Sequence, residues 1–212
     1  MKETTKSILN ELMLTYPQLQ CCCEDIENAF LMLKATFDNG GRLFVCGNGG
    51  SSSDSEHIVG ELLKSFKKHR PIAQDVYEKL RTFGENGTYL CEKLEGALPA
   101  ISLNSQTGIM TAFANDKSWE ATFAQQLYGL GTKGDCLLTL STSGNSKNCV
   151  YAALVAKPKG ISVIALTGVG GGKLRECSNC TIAVPETETY KVQELHLPVY
   201  HCLCAMLEEE LF

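Results

Sequence analysis

The chain has 212 residues, 44% of them hydrophobic and 20% charged, with a formal net charge of −5. That length supports one sizeable domain with its own core, and the acidic balance disfavours a nucleic-acid face, which needs clustered Lys and Arg. The polar start Met1-Lys-Glu-Thr-Thr-Lys6 leads into no apolar signal core, and no run approaches the roughly 18 apolar residues of a membrane span; a cytoplasmic protein with no membrane association is expected.

In chain order, residues 7–35 read as one helix, because Ile26, Ala29, Phe30 and Leu33 recur on a single face. Asn39-Gly40-Gly41 stops that pattern. Short apolar runs follow at Leu43–Cys46, Ala100–Leu103, Cys136–Leu140, Val163–Thr167 and Thr181–Val184, each succeeded by a turn and a helical pattern. Continuously apolar strands alternating with helices predict a parallel sheet covered on both faces. Right-handed crossovers make this a doubly wound, three-layer αβα sandwich spanning residues 1–212, with 1–35 as a helical N-terminal segment. The basic run Lys64, Lys67, Lys68, His69 and Arg70 reads as the solvated tail of a helix. Beyond it, Asp75–Phe83 and Tyr89–Leu94 are expected to be helical. The eleven cysteines are odd in number and include the run Cys21-Cys22-Cys23. A disulfide framework is therefore disfavoured. Cys177-x-x-Cys180 has no second pair of matching spacing, so buried thiols in a reducing compartment are expected.

Doubly wound sheets bind ligands in the loops that follow the strands. After the first strand comes Gly47-Asn48-Gly49-Gly50-Ser51-Ser52-Ser53, and after the third Ser141-Thr142-Ser143-Gly144-Asn145-Ser146. The first is no dinucleotide fingerprint, because Ser52 replaces the third glycine and no acidic residue closes a second strand. Gly168–Lys173 is no phosphate loop either, since Leu174 stands where Ser or Thr must hold magnesium. The second loop places four hydroxyls in six positions at a helix N-terminus, more than capping requires, and predicts a phosphate cradle. His57 and Glu61 share one helix face at i and i+4, the spacing of a metal half-site and, more commonly, of a surface ion pair. Gln193, His196 and His201 stand in an otherwise apolar helix, where a buried, hydrogen-bonded histidine is the plain alternative. Gln193 and His201 are about 12 Å apart along an unbroken helix. One ion could join them only if the side chains lean together or if the first turn is loosened, which Pro198 would favour.

Together these residues resemble the phosphoheptose (sedoheptulose 7-phosphate) isomerase family of sugar isomerase domains. The likeness runs from about Leu33 to Leu207. It rests on Gly47-Asn-Gly-Gly-Ser51, His57-x-x-x-Glu61, Asn115-Asp116, Ser141-Thr-Ser-Gly-Asn-Ser146 and Gln193-Glu-x-His196-x(4)-His201. The resemblance implies a flavodoxin-like sandwich on a five-stranded parallel sheet, and a homotetramer with sites between subunits. It also implies one zinc ion per subunit on His57, Glu61, Gln193 and His201. Asn48, Gly49, Gly50, Ser51, Asn115, Asp116, Ser141, Thr142, Ser143 and Ser146, with Glu61 and Gln193, correspond to positions that hold a phosphorylated sugar. Glu61 and His201 match the base and acid of a metal-assisted enediol conversion of D-sedoheptulose 7-phosphate to D-glycero-D-manno-heptose 7-phosphate. Two departures stand out: a longer segment at 72–98, and Glu186-Thr-Glu-Thr-Tyr190-Lys191 in place of an acidic-then-basic pair. A non-catalytic sugar-phosphate-binding protein and an isomerase of another sugar phosphate are the alternatives.

Overall fold

The computed structural model describes all 212 residues. The five apolar runs form β1 (Leu43–Gly47), β2 (Ala100–Ser102), β3 (Cys136–Ser141), β4 (Ser162–Thr167) and β5 (Cys180–Ala183). They pair in parallel in the order β2-β1-β3-β4-β5, with Leu43 opposite both Ala100 and Cys136. Because successive strand side chains alternate in direction, one sheet feeds two cores. Leu43, Val45, Leu138, Leu140, Ile164 and Leu166 enter the larger core. Phe44, Cys46, Leu137, Val163 and Ala165 enter the smaller one on the opposite face.

Helices α1 (Glu3–Thr15), α2 (Cys23–Asp38), α3 (Gly50–Leu63) and α10 (Thr189–Leu211) cover the larger core. Helices α7 (Thr122–Leu130), α8 (Lys147–Lys159) and α9 (Gly172–Cys177) cover the smaller. Helix α6 (Thr107–Asp116) buries none of its residues. The expected single helix over 7–35 is in fact two. Tyr16 takes a non-helical conformation (φ −125, ψ 71) ahead of Pro17, and a short 3-10 turn, Pro17–Cys22, separates them. The ring of Pro17 disfavours a helical residue before it, and the apolar pattern simply resumes on the far side. The segment 72–98 carries α4 (Gln74–Arg81) and α5 (Gly84–Lys93). They pack on one another and bury only Gly87. No helix is long and apolar enough to cross a membrane. All eleven cysteines are free and eight of them are buried; burial pushes the Cys136 and Cys204 thiols up to about 12.

Candidate active site

Strand β1 feeds α3 on one face of the sheet, and its neighbour β3 feeds α8 on the other. The connections diverge there, so a crevice opens between loops 47–50 and 141–146, at the switch point where such sheets bind ligands. Asn48, Gly49, Gly50, Ser51, Leu140, Ser141, Thr142, Ser146, Thr189 and Gln193 line a pocket of about 430 Å³ in it. The N-termini of α3 and α8 both open onto it, giving free backbone N–H groups and the positive ends of two helix dipoles.

The loops are shaped by their glycines and braced by amides. A Cβ on Gly50 would meet the Gln193 carboxamide at 2.8–2.9 Å, so glycine there is what lets that carboxamide reach the first turn of α3. Gly144 turns with φ +65, and a Cβ there would overlap the Gly171 carbonyl. Asn48 and Asn148 exchange reciprocal amide hydrogen bonds of 2.9 and 2.8 Å, joining the first loop to the first turn of α8. Asn104 accepts from Gly47 N at 3.2 Å and donates to Gly47 O at 2.8 Å. Ser141 Oγ donates to Ser146 Oγ at 2.9 Å. Of the predicted sugar-holding residues, Asn48, Gly49, Gly50, Ser51, Ser141, Thr142, Ser146 and Gln193 therefore converge. Ser143 is exposed and its Oγ accepts from Asn145 N instead. Asn115 and Asp116 are exposed at the end of α6, hydrogen-bonded to each other, outside the pocket lining.

Helices α3 and α10 run side by side in parallel, Gly50 meeting Gln193 and His57 meeting Tyr200 and His201. His57 lies about 10 Å below Gly50 along the helix axis. Its Nε2 is 3.2 Å from Glu61 Oε1 and 3.4 Å from His201 Nε2. Lys64 Nζ donates to Glu61 Oε2 at 3.0 Å. Burial, with His57 beside it, holds the His201 imidazole below its ordinary value against the pull of Glu61. Two imidazoles and a carboxylate are the donor types zinc accepts, and they face one another. The donor chemistry fits the ion, although these side chains do not close into a preformed metal centre. Gln193 stays with the pocket two turns away. Helix α10 is continuous through Pro198, so Gln193 is not on a loosened first turn. His196 is fully buried beside the backbone of Thr167, and neither ring nitrogen makes a hydrogen bond of good geometry. Burial pushes it down to about 4, so it sits in the core uncharged.

The basic run differs most from expectation. Helix α3 ends at Leu63, and Arg70 is completely buried rather than solvated. Its guanidinium donates to Glu208 at 2.7 Å, to Leu62 O at 2.8 Å and to Glu61 O at 3.0 Å. Glu208 also accepts the backbone N–H groups of Phe66, Lys67 and Lys68 at 2.8, 2.7 and 3.0 Å. The free carbonyls closing α3 are thereby tied to α10, which fixes the turn carrying Glu61. Burial opposes the charge on Glu208, but those amides and Arg70 outweigh it and hold the carboxyl below its ordinary value.

A crevice at the switch point, walled by hydroxyls and two helix N-termini, is the kind of site at which doubly wound domains take anionic ligands. The family model described as SIS domain matches residues 20–97 and 80–168. A phosphoheptose isomerase of Akkermansia muciniphila is 37% identical over 188 residues, 89% of this chain and 86% of that protein. Phosphoheptose isomerase 2 of Campylobacter jejuni is 37% identical over 187 residues, covering 88% and 81%. Among solved structures, a phosphoheptose isomerase from Francisella tularensis superposes with a TM-score of 0.71 at 28% identity, covering 98% of this chain and 94% of that one. One from Neisseria gonorrhoeae gives 0.71 at 27%, covering 97% and 92%. The chain belongs to the phosphoheptose isomerase family of SIS domains, and it is a sugar-phosphate isomerase.

Proposed function

We propose that this enzyme interconverts D-sedoheptulose 7-phosphate and D-glycero-D-manno-heptose 7-phosphate through an enediol, as a homotetramer in the cytoplasm. One observation supports the reading above others. An anion pocket and a cluster of proton-transfer groups lie about 10 Å apart on one α3–α10 seam, a separation suited to an extended sugar held by its terminal phosphate. Ser141, Thr142, Ser146 and the α3 and α8 N-termini bind the phosphate by charge-assisted hydrogen bonds. This directs C1 and C2 toward Glu61 and His201.

Glu61 removes the proton from one of these carbons and returns it to the other. Lys64 on its second oxygen keeps the carboxylate aimed. His201, held neutral by burial, gives a proton to one sugar oxygen and takes one from its neighbour. His57, Glu61 and His201 would hold a zinc ion, which Gln193 joins only by leaning toward them; when bound, the ion supplies Lewis-acid polarisation of the sugar oxygens. Asn115 and Asp116, away from the pocket of their own chain, are assigned to a site completed by a second subunit. The test is a panel of four- to seven-carbon ketose and aldose phosphates followed by NMR. Turnover of the seven-carbon pair above the others is expected. Turnover confined to a shorter sugar replaces the substrate, and turnover of none removes the catalytic reading.

A further inference from the structure

Tyr200 is almost completely buried in the α3–α10 seam, and its ring meets those of His57 and His201 edge to face, with centroids 5.6 and 4.9 Å apart. Its hydroxyl lies between two residues one turn apart on α3. It donates to Asp54 Oδ1 at 3.2 Å and is 3.1 Å from His57 Nδ1. Nothing in the proposed chemistry uses this contact.

Counting hydrogens favours one direction. A phenol has one hydrogen and an ionised carboxylate has none. If the Tyr200 hydrogen goes to Asp54, the hydrogen between Tyr200 and His57 belongs to Nδ1. The opposite tautomer would place it on Nε2, facing Glu61. Glu61 already has the Lys64 ammonium at 3.0 Å, whereas the Tyr200 hydroxyl is the one side-chain donor to half-buried Asp54. The Nδ1–H arrangement leaves neither carboxylate without a donor. The other gives Glu61 a second donor and leaves Asp54 to solvent alone, because the Tyr200 hydrogen would then turn to the bare Nδ1.

We infer that Asp54 and Tyr200 are positioning residues that lock His57 as the Nδ1–H tautomer, presenting its Nε2 lone pair toward Glu61 and His201. The lone pair is what a metal ligand must offer, and a ring fixed through its other nitrogen binds the ion without first reorganising. The use of that lone pair for zinc rests on the proposed function; the tautomer does not.

The test uses the full chain, histidine labelled with 15N and stripped with a chelator, as wild type and as Tyr200→Phe. Phenylalanine keeps the ring packing and removes only the hydroxyl. Long-range 1H–15N spectra read the tautomer, and competition with a chromophoric chelator reads zinc affinity. The wild type is expected to show His57 protonated at Nδ1. Tyr200→Phe is expected to shift His57 toward Nε2–H and to weaken zinc binding about 10–100-fold, the usual cost of losing such a support. A wild-type His57 protonated at Nε2, or a Tyr200→Phe spectrum and affinity unchanged, overturns the inference. Wild-type protein that shows the Nδ1–H tautomer yet binds no zinc sustains the positioning role and removes the metal from the proposed function instead.

Discussion

Replacing Arg70 with Met probes the anchor beneath the site. The substitution keeps much of the side chain's bulk but removes three hydrogen bonds, to Glu208, Leu62 O and Glu61 O, at a position with no solvent exposure. Removing one partner of a buried ion pair costs about 3–5 kcal/mol, because the survivor remains charged and buried. Here Glu208 keeps three backbone amides, which places the expected loss at the lower end, about 3 kcal/mol. For a chain of this size that corresponds to a fall in Tm of roughly 6–12 °C. Urea denaturation followed by circular dichroism measures it, at one fixed protein concentration because assembly adds to apparent stability. In the double mutant Arg70→Met/Glu208→Met the losses should fall short of additive by about 1 kcal/mol or more. A single-mutant loss below about 1 kcal/mol, the range of surface ion pairs, would refute the buried anchor.

Glu208 also sets an acid limit. Its carboxyl titrates below the ordinary 4.5 when folded, so its contribution is complete above that value and is lost as the pH falls through the lowered one. Glu208→Gln should be less stable than wild type at neutral pH and lose less on acidification, which denaturation from pH 7 down to 3 would reveal. Gly50→Ala separates folding from function: an added Cβ pushes the Gln193 carboxamide aside, while alanine in a helix favours folding by up to about 1 kcal/mol. Thermal unfolding should show equal or higher stability, and kinetics a raised KM. If Ser146 holds the phosphate as proposed, Ser146→Ala should raise KM about tenfold to a hundredfold, with no comparable effect on inhibition by unphosphorylated sugar.

The strands were legible because a sheet buried on both faces needs unbroken apolar runs, and all five lie within one residue of the observed bounds at each end. The loops that line the pocket were legible because glycine and hydroxyl clusters after strands mark the switch-point crevice of such sheets. The break at Tyr16–Cys22 was not, since periodicity on both sides of Pro17 hides a change of helix axis. Arg70 was misread because a cation among cations resembles a solvated tail, and its partner is 138 residues away in sequence. Asn148 and Asn104 gave no signal beyond being polar residues near loops, as their brace depends on strand order. Tyr200 reads as one more apolar position of α10; only the register between α3 and α10 brings its hydroxyl to Asp54 and His57.

The most direct test of the account follows deuterium in D₂O with sedoheptulose 7-phosphate, comparing wild type with Glu61→Gln. Wild-type enzyme should place deuterium on C1 of the ketose or C2 of the aldose, because the abstracted proton exchanges with solvent while it resides on Glu61. Glutamine keeps the shape and one donor oxygen but cannot accept that proton, and losing a general base costs about 10²–10⁴-fold. The metal content of both proteins is measured alongside, so that loss of an ion is not mistaken for loss of a base. The account predicts sugar still bound in the mutant, with turnover and deuterium incorporation falling together. Deuterium incorporated at the wild-type rate by Glu61→Gln would contradict it and move the base to another residue, His201 first.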